Sequence, residues 1–576
     1  MRSILFAFLF FAHFSHAQTA PEPSHPVLKK ALERIATFNE LERKLDMASG
    51  FPLGLHGEAG AKRRHDFFVG LEKEIRSIDT RQLGFTDEIN AALLLYSFED
   101  DISDFKYSSY LNPILSEGGF HTNITGISST RINTLKDAED YIAKLNDLPR
   151  YMEEHFSLMR KGLAVGIAQP YDVVAQFSNT YEVQIVTNPE ASSFWKPFAK
   201  KPAGITEPAW QEILQKGRQA ILFSAVVAYK NVKSFFENEY LARAPKKPGA
   251  QFFPSGLAFY EERVKHFTTT DLGYDAIYNI GLKEVARIKL AMEEVKSQVG
   301  FQGDMKAFIL SLRTDPQFYP TSGEALLKEA SYIAKKIDGK LPTLFGRLPR
   351  QPYGVEPVPA EIAPTYTAGR YSPAAIKSTR SGNYWVNLYN LPSRSLYTLE
   401  ALTLHEAVPG HHLQMSLTQE LENLPNFRRN LYVNAFGEGW GLYAESLGYD
   451  IGLYKDPYSR FGQLTYDMWR ACRLVIDVGL HAKGWSRDQA VAYLADNTAL
   501  SLHEVNTEIN RYIAWPGQAL AYKMGELKIK ELRKRAASAL GDKFDIRQFH
   551  DLLLSEGTLT LRLMEKLVDR YIETTK

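Results

Sequence analysis

The stretch Leu404-His405-Glu406-Ala407-Val408-Pro409-Gly410-His411-His412-Leu413-Gln414 cannot lie on one straight helix. A proline ring at 409 clashes with the carbonyl of His405 and removes an amide donor, and Gly410 lets the backbone leave helical geometry at little cost. The surrounding residues carry ligand chemistry. In the zinc-binding pattern H-E-x-x-H, histidines at i and i+4 stand about 6 Å apart along one helical face, and the glutamate beside the first acts as general base. Here i+4 is Pro409, and the next histidines fall at i+6 and i+7. On an undistorted helix His411 would lie about 9 Å along the axis from His405 and roughly 120° off its face. The spacing therefore predicts a bulge or break at Pro409-Gly410, a feature that often marks functional sites. Looping out two residues returns His411 to where a second ligand belongs, although spacing alone leaves His411 and His412 both open for that role.

The chain has 576 residues, 44% hydrophobic and 23% charged, ordinary values for a globular protein with ample material for buried cores. A formal net charge of +1 and the lack of any basic run give no sign of nucleic acid or an anionic membrane as partner. Met1-Arg2-Ser3, the apolar residues 4–14 and Ser15-His16-Ala17 read as a secretory signal peptide, residues 1–17, cut before Gln18. An uncleaved anchor or a buried N-terminal helix is the alternative. No later stretch approaches ~20 uninterrupted apolar residues, so no stable membrane insertion is expected after cleavage. The expected location is exported, periplasmic or extracellular. Cys472 is the only cysteine, so packing and not a disulfide must hold the fold. Its apolar-basic surroundings read as core, with a cysteine nucleophile as the alternative.

Apolar residues at three- and four-residue spacing predict helices over 27–45, 67–78, 86–105 and 151–165, with breakers at Gly50, Gly118-Gly119, Pro149, Pro189 and Pro202. The run Arg243-Ala244-Pro245-Lys246-Lys247-Pro248-Gly249 marks a surface connection. We therefore expect a helical N-terminal subdomain, 18–245, and a catalytic subdomain, 246–576. Helices resume over 270–298, capped from Thr268-Thr269-Thr270-Asp271, and over 323–337. Residues 342–373 read as loop with short extended pieces, and Asn383-Tyr384-Trp385-Val386-Asn387-Leu388-Tyr389 as a strand, one that at a sheet edge could pair with an extended peptide. The expected class is mainly α: a large, elongated, metallopeptidase-like helical fold with a small β element beside the metal helix and a deep central cleft.

Residues 403–422 and 430–447 read as two metal helices, the second closed by Gly448. Gly437, Gly439 and Gly441 each cost on the order of 1 kcal/mol in a helix, and close approach to another backbone is the simplest compensation. Glu438, framed by them, is the candidate third ligand, with the fourth position open for water; Glu445, seven residues on, is the alternative ligand or a partner behind one. A second pair, His503-Glu504, lacks a following histidine. Arg470, Arg473, Asp477 and His481 form a polar stripe along one predicted helix face, read as orienting the ligands, as gripping a substrate carboxylate, or as a structural salt-bridge network.

His405-Glu406 to Pro409-Gly410-His411, Glu438-Gly439-Trp440, and Arg511-Tyr512-Ile513-Ala514-Trp515-Pro516-Gly517-Gln518 with Tyr522 resemble the bacterial domain-of-unknown-function 885 family, grouped with the gluzincin-type zinc metallopeptidases. The resemblance extends over nearly the whole chain. It implies one zinc ion per chain held by His405, His411 and Glu438, Glu406 as general base, and His412 as a neighbour. Tyr522 and Tyr512, with His503 behind them, become candidates to stabilise the oxyanion, and Arg511 stands in the same segment. The implied activity is hydrolysis of short peptides by a metal-activated water. An amidase or esterase on a non-peptide substrate, and a non-catalytic peptide-binding protein, are the alternatives.

Overall fold

The computed structural model describes residues 23–576 apart from 117, 361, 376, 377 and 423, so the signal segment lies outside the described residues. Among the described residues the chain is mostly helical, with two small sheets. Its first half opens with α1 (Pro26–Ala48), α2 (Glu58–Arg76), α3 (Phe85–Lys106) and α4 (Leu135–Val165), which contain or closely overlap the predicted helices. Local chemistry sets the limits of α4. At its start the Thr134 hydroxyl accepts from the Asp137 amide and the Asp137 carboxylate from the Thr134 amide; at its end Gly166 adopts φ +80°. Pro149, expected to break the chain, instead sits inside α4. Burial of Leu145, Leu148, Tyr151 and Met152 around it outweighs the lost amide bond. The helix α5 (Glu207–Ala220) continues through two π-type turns as far as Arg243.

In the second half come α6 (Gly256–Thr268), α7 (Tyr274–Gln298) and α8 (Gly323–Asp338). The threonine run does not cap α7: Thr268 ends α6, its hydroxyl donating to the Val264 carbonyl, and the residue preceding α7 is Gly273. Residues 114–115 and 118–119 form a minimal antiparallel ladder, β1 and β2. The larger sheet contains β3 (Tyr353–Pro357), β4 (Gly369–Ser372) and β5 (Gly382–Val386) in the order β3-β5-β4. Strand β5 pairs parallel with β3 and antiparallel with β4, Tyr384 facing Val355 on one side and Tyr371 on the other. The predicted strand is thus the central one and offers no free edge. Both its ladders are occupied, and alternate residues Gly382, Tyr384 and Val386 are buried.

The remaining helices that build the site are α9 (Leu399–Glu406), α10 (His411–Glu420), α11 (Asn434–Asp450), α12 (Pro457–Ala482), α13 (Leu502–Ala514) and α14 (Ala521–Leu540). The expected first metal helix is two helices, and the second starts at Asn434 and runs through Gly448 instead of stopping there. Buried along most of its length, α12 packs on α7, α9 and α14. Cys472 lies on it with no exposure, and burial pushes its thiol well above the ordinary range, as for a core cysteine. Lys523 of α14, equally buried, pairs with Asp467 of α12, with Glu284 of α7 at 3.2 Å and with Glu526 at 2.7 Å, tying three helices together.

Helices α11 and α14 cross where Gly439 meets Gly525. A Cβ on Gly439 would stand 2.5 Å from the Gly525 Cα, and one on Gly525 would stand 1.9 Å from the Ala435 carbonyl oxygen. Gly525→Ala should therefore destabilise the protein by roughly 1–3 kcal/mol in chemical denaturation. Gly70→Ala in α2, whose Cβ would meet nothing within 4 Å, should stabilise it by about 0.5–1 kcal/mol. Equal stability of the Gly525 variant and wild type would show that the two helices are not held at backbone contact.

Candidate metal centre

The helical path breaks where the sequence requires it. Helix α9 ends at Glu406, the Ala407 amide still bonding the Thr403 carbonyl at 2.9 Å. The chain then leaves helical geometry over 407–410, with a cis Val408–Pro409 peptide, and re-enters at His411. The His412 amide reaches back to the Ala407 carbonyl at 3.1 Å, five residues away, so the chain is looped out and not simply kinked. Only glycine fits at 410, because a Cβ there would lie 1.9 Å from the His405 carbonyl oxygen. As a result the His405 and His411 rings come together, centroids 4.8 Å apart and planes at 87°.

Glu438 on α11 completes the group. Its Oε2 lies 3.8 Å from His405 Nε2 and 3.5 Å from His411 Nε2, and one ligand atom from each of the three residues lies within 4.8 Å of the others. Donors around a tetrahedral zinc at about 2.0–2.2 Å stand roughly 3.3–3.6 Å apart, so small side-chain rotations close this cluster on one ion. The residues around Glu438 each make room or hold position. Gly439 packs on Gly525, and Gly441 leaves space for the His405 ring, 2.8 Å from where its Cβ would be. Trp440, fully buried, donates from Nε1 to the Pro409 carbonyl at 2.8 Å and so clamps the break. The expected backbone contact holds for Gly439 alone; Gly437 and Gly441 yield to the rings of Tyr432 and His405.

A layer of carboxylates surrounds the two imidazoles. His405 Nδ1 donates to Glu445 Oε1 at 2.8 Å, which turns its Nε2 toward Glu438. Arg470 Nη2 lies 3.4 Å from the same Glu445 oxygen. Glu406 accepts on Oε2 from the Tyr371 amide of β4 at 2.8 Å. Burial opposes a charge on His405, but Glu438, Glu445 and Glu406 outweigh it and raise the ring to about 9. Burial likewise pushes Glu438 up, and the two histidines outweigh that and hold it well below the usual carboxylate range. The cluster thus draws positive charge inward, the electrostatics a divalent cation satisfies. The side chains of His411 and Glu438 remain 11% and 16% exposed, so the group is reachable from solvent.

The other predicted residues divide between this group and its surroundings. His412 turns away toward the sheet: its Nδ1 bonds the Tyr371 hydroxyl at 3.0 Å and Ser416 at 3.2 Å, and burial lowers the ring to about 4. Tyr522 accepts from Arg511 at 3.0 Å and stacks under the Arg473 guanidinium at 4.1 Å. Tyr512 lies in the Arg473 cluster, accepting from Trp469 Nε1 at 2.7 Å and Arg473 Nε at 2.9 Å. Arg473 in turn pairs with Glu508 at 2.8 Å. On the polar stripe, only Arg470 reaches a ligand's partner directly. Asp477 accepts from the Tyr260 hydroxyl and the Gly517 amide, and His481 bonds the Ala250 amide and the Tyr512 carbonyl, both joining elements of the fold. His503 is exposed, and Glu504 closes the N-terminus of α13 as a capping box with Ser501, which accounts for the second His-Glu pair.

Two participants are invisible to spacing rules. Tyr432, in the segment before α11, lies against Gly437, and the nearby charge of Glu438 adds to burial in raising its phenol. Tyr371 contributes only its backbone amide to Glu406. A side-chain-free position at Gly437 was the one available signal for the first; strand register, unreadable from local sequence, determines the second.

The fold and the site together define a helical protein with a buried two-histidine, one-glutamate cluster. The family model described as "Bacterial protein of unknown function (DUF885)" matches residues 53–568, and the chain belongs to that family. It is similar to a solved structure from Colwellia psychrerythraea titled a "putative lipoprotein", at 28% identity and TM-score 0.83 over 90% of this chain and 92% of that one. A second, from Shewanella oneidensis, titled a "putative lipoprotein of unknown function", shares the fold at 16% identity and TM-score 0.70, over 94% of this chain and all of that one. No curated protein matches the chain.

Burial raises the Asp477 carboxyl to about 7, against its bonds to Tyr260 and Gly517 and the nearby Arg473. Between the ordinary carboxylate value and about 7, the folded state binds more protons than the unfolded state. Stability contributed by this group therefore falls as pH rises through that window, by on the order of 1.4 kcal/mol per pH unit. Asp477→Asn should gain stability relative to wild type between pH 5 and pH 8. A pH-independent difference in melting temperature between the two would contradict this.

Proposed function

We propose that this chain is a zinc-dependent metallopeptidase of the gluzincin type, hydrolysing peptide bonds of short peptides. The observation that carries the proposal is the convergence of His405, His411 and Glu438 with Glu406 on the adjoining turn. His405, His411 and Glu438 would hold one zinc ion, which when bound supplies Lewis acidity to a substrate carbonyl and acidifies water. Glu445 fixes the tautomer and orientation of His405, a role that commonly governs metal affinity. Glu406 is the general base. Its Oε2 is engaged by the Tyr371 amide, so Oε1 is the atom that takes the proton of the attacking water. Tyr522, from the sequence candidates, and Tyr432, whose ring lies against Gly437 beside Glu438, are the hydroxyls that would donate to the developing oxyanion, the Tyr512 hydroxyl being taken up by Trp469 and Arg473. Burial and the charge of Glu438 hold the Tyr432 phenol far above its ordinary value, so it remains a donor at all working pH values.

Export to a periplasm or to the medium fits the signal-like segment at 1–17 and the similarity to two structures titled as lipoproteins. Among the described residues no helix is long and apolar enough to cross a membrane.

Glu406→Gln is the test of mechanism. It should lower peptide hydrolysis by about 10²–10⁴-fold while leaving the metal content of the purified protein unchanged. Wild-type turnover in that variant would overturn the assignment of the base. Turnover of small esters or amides with none of peptides, in the unmodified chain, would move the reading to a non-peptide substrate.

A further inference from the structure

The Tyr522 hydroxyl is surrounded by donors and lacks an acceptor. Arg511, in the last turn of α13, donates from Nη2 to this hydroxyl at 3.0 Å and to Gln518 Oε1 at 3.0 Å. Gln518 Nε2 in turn donates to Oδ1 of Asn434, the first residue of α11, at 3.2 Å. The Arg473 guanidinium lies over the Tyr522 ring at 4.1 Å. It is held there by the Tyr512 hydroxyl at 2.9 Å and by Glu508 at 2.8 Å. A guanidinium carries five donors and no acceptor, so neither arginine can take the phenol proton of Tyr522. Among the described residues no other group accepts it. A bond accepted by the phenol oxygen polarises its O–H, and the cation over the ring adds to that effect.

The level of Tyr522 follows from the way its helix meets α11. Asn434 meets Gln518, Gly439 meets Gly525 and Asp450 meets Arg533, so the two helices run in the same sense. Glu438 and Tyr522 both lie between the first two of these contacts, a stretch of about 10 Å. At Gly525 the α14 backbone stands directly against α11, because a Cβ there would lie 1.9 Å from the Ala435 carbonyl oxygen. Tyr522, three residues earlier, shares that face. Between them stands Tyr432, against Gly437; burial and then the charges of Glu438 and Tyr522, with Glu406, raise its phenol, in keeping with the same placement. An oxyanion formed on a carbonyl attacked at the cluster is the acceptor that the Tyr522 proton lacks.

We infer that Arg511 is a positioning residue for Tyr522. By filling the acceptor side of the phenol, and tying it through Gln518 to the helix of Glu438, it keeps the phenol proton ready for the oxyanion. The inference rests on the proposed hydrolysis, and any attacked carbonyl, peptide or not, supplies the oxyanion. Arg511→Met is compared in two backgrounds of the zinc-loaded mature chain, with Tyr522 intact and with Tyr522→Phe. Turnover is read as kcat and KM for trialanine, or for 4-nitrophenyl acetate where only an ester is cut. Calorimetry reads the binding of a phosphinic analogue of trialanine, whose phosphinate copies the tetrahedral centre. Tyr522→Phe should lower kcat by about 10²-fold and Arg511→Met by about tenfold, each with KM unchanged. The phosphinic probe should weaken in the same order. Together the two changes should cost no more than Tyr522→Phe alone, and Arg511→Lys should recover part of the loss. Equal losses from Arg511→Met in both backgrounds, a loss in KM alone, or an undiminished kcat overturns the positioning role. An undiminished kcat in Tyr522→Phe overturns it too, and leaves hydrolysis standing with Tyr432 as donor. A wild-type chain that cuts neither substrate and binds no phosphinic probe removes the proposed hydrolysis and the inference together. If Arg511→Met fails to fold, Arg511→Lys takes its place in both backgrounds, and an equal effect in the two, or none in either, counts against the role.

Discussion

Much of this structure depends on how four residues, 407–410, leave a helix and return to it. A straight continuation would carry His411 away from His405; the looped path brings their rings within 4.8 Å of each other. The detour is held from outside by one hydrogen bond, from Trp440 to the Pro409 carbonyl. That indole sits on the same helix as Glu438, two residues on, so the element that carries Glu438 also holds the turn between the two histidines in place. Gly439 and Gly441 flank the indole because that helix must approach both α14 and the His405 ring. Glu438-Gly439-Trp440-Gly441 is thus a single device in which position, approach and clamp fall on consecutive residues.

Electrostatics explain why the device is worth its cost. Glycines weaken a helix, and buried carboxylates near one another oppose ionisation. Glu406, Glu438 and Glu445 nevertheless gather around two imidazoles, with Arg470 the cation behind Glu445. His405 supplies compensating charge as a proton, held to about 9 by the surrounding carboxylates. A divalent cation at the proposed site would replace that proton. The same logic separates His412 from the group: burial without a carboxylate partner keeps it neutral and leaves it bonded to the sheet.

What the sequence disclosed follows physical range. Periodicity located the long helices because the 3.6-residue pattern is local, and it located the break because a proline and a glycine act on their own backbone. Glu438 was legible because three glycines within five residues demand an explanation. Pro149 misled because the local penalty is overruled by core packing, and Gly448 misled because it admits the Tyr454 ring against the helix and does not take the left-handed geometry of a cap. Strand β5 was recognisable as a strand, yet its central place depends on partners 11 to 17 and 29 residues away along the chain, which alternation does not encode. Tyr432 was out of reach for a different reason: it precedes α11 in non-helical backbone, where no spacing rule says that its ring folds onto Gly437.

The central claim is that the break at Pro409-Gly410 builds a cation site from His405, His411 and Glu438. Metal content by mass spectrometry of the mature chain, purified without chelators, tests it most directly. The account predicts about one zinc per chain, lost in His411→Ala and retained in His412→Ala. A wild-type protein without tightly bound metal, or one that keeps its zinc in His411→Ala and loses it in His412→Ala, would contradict it.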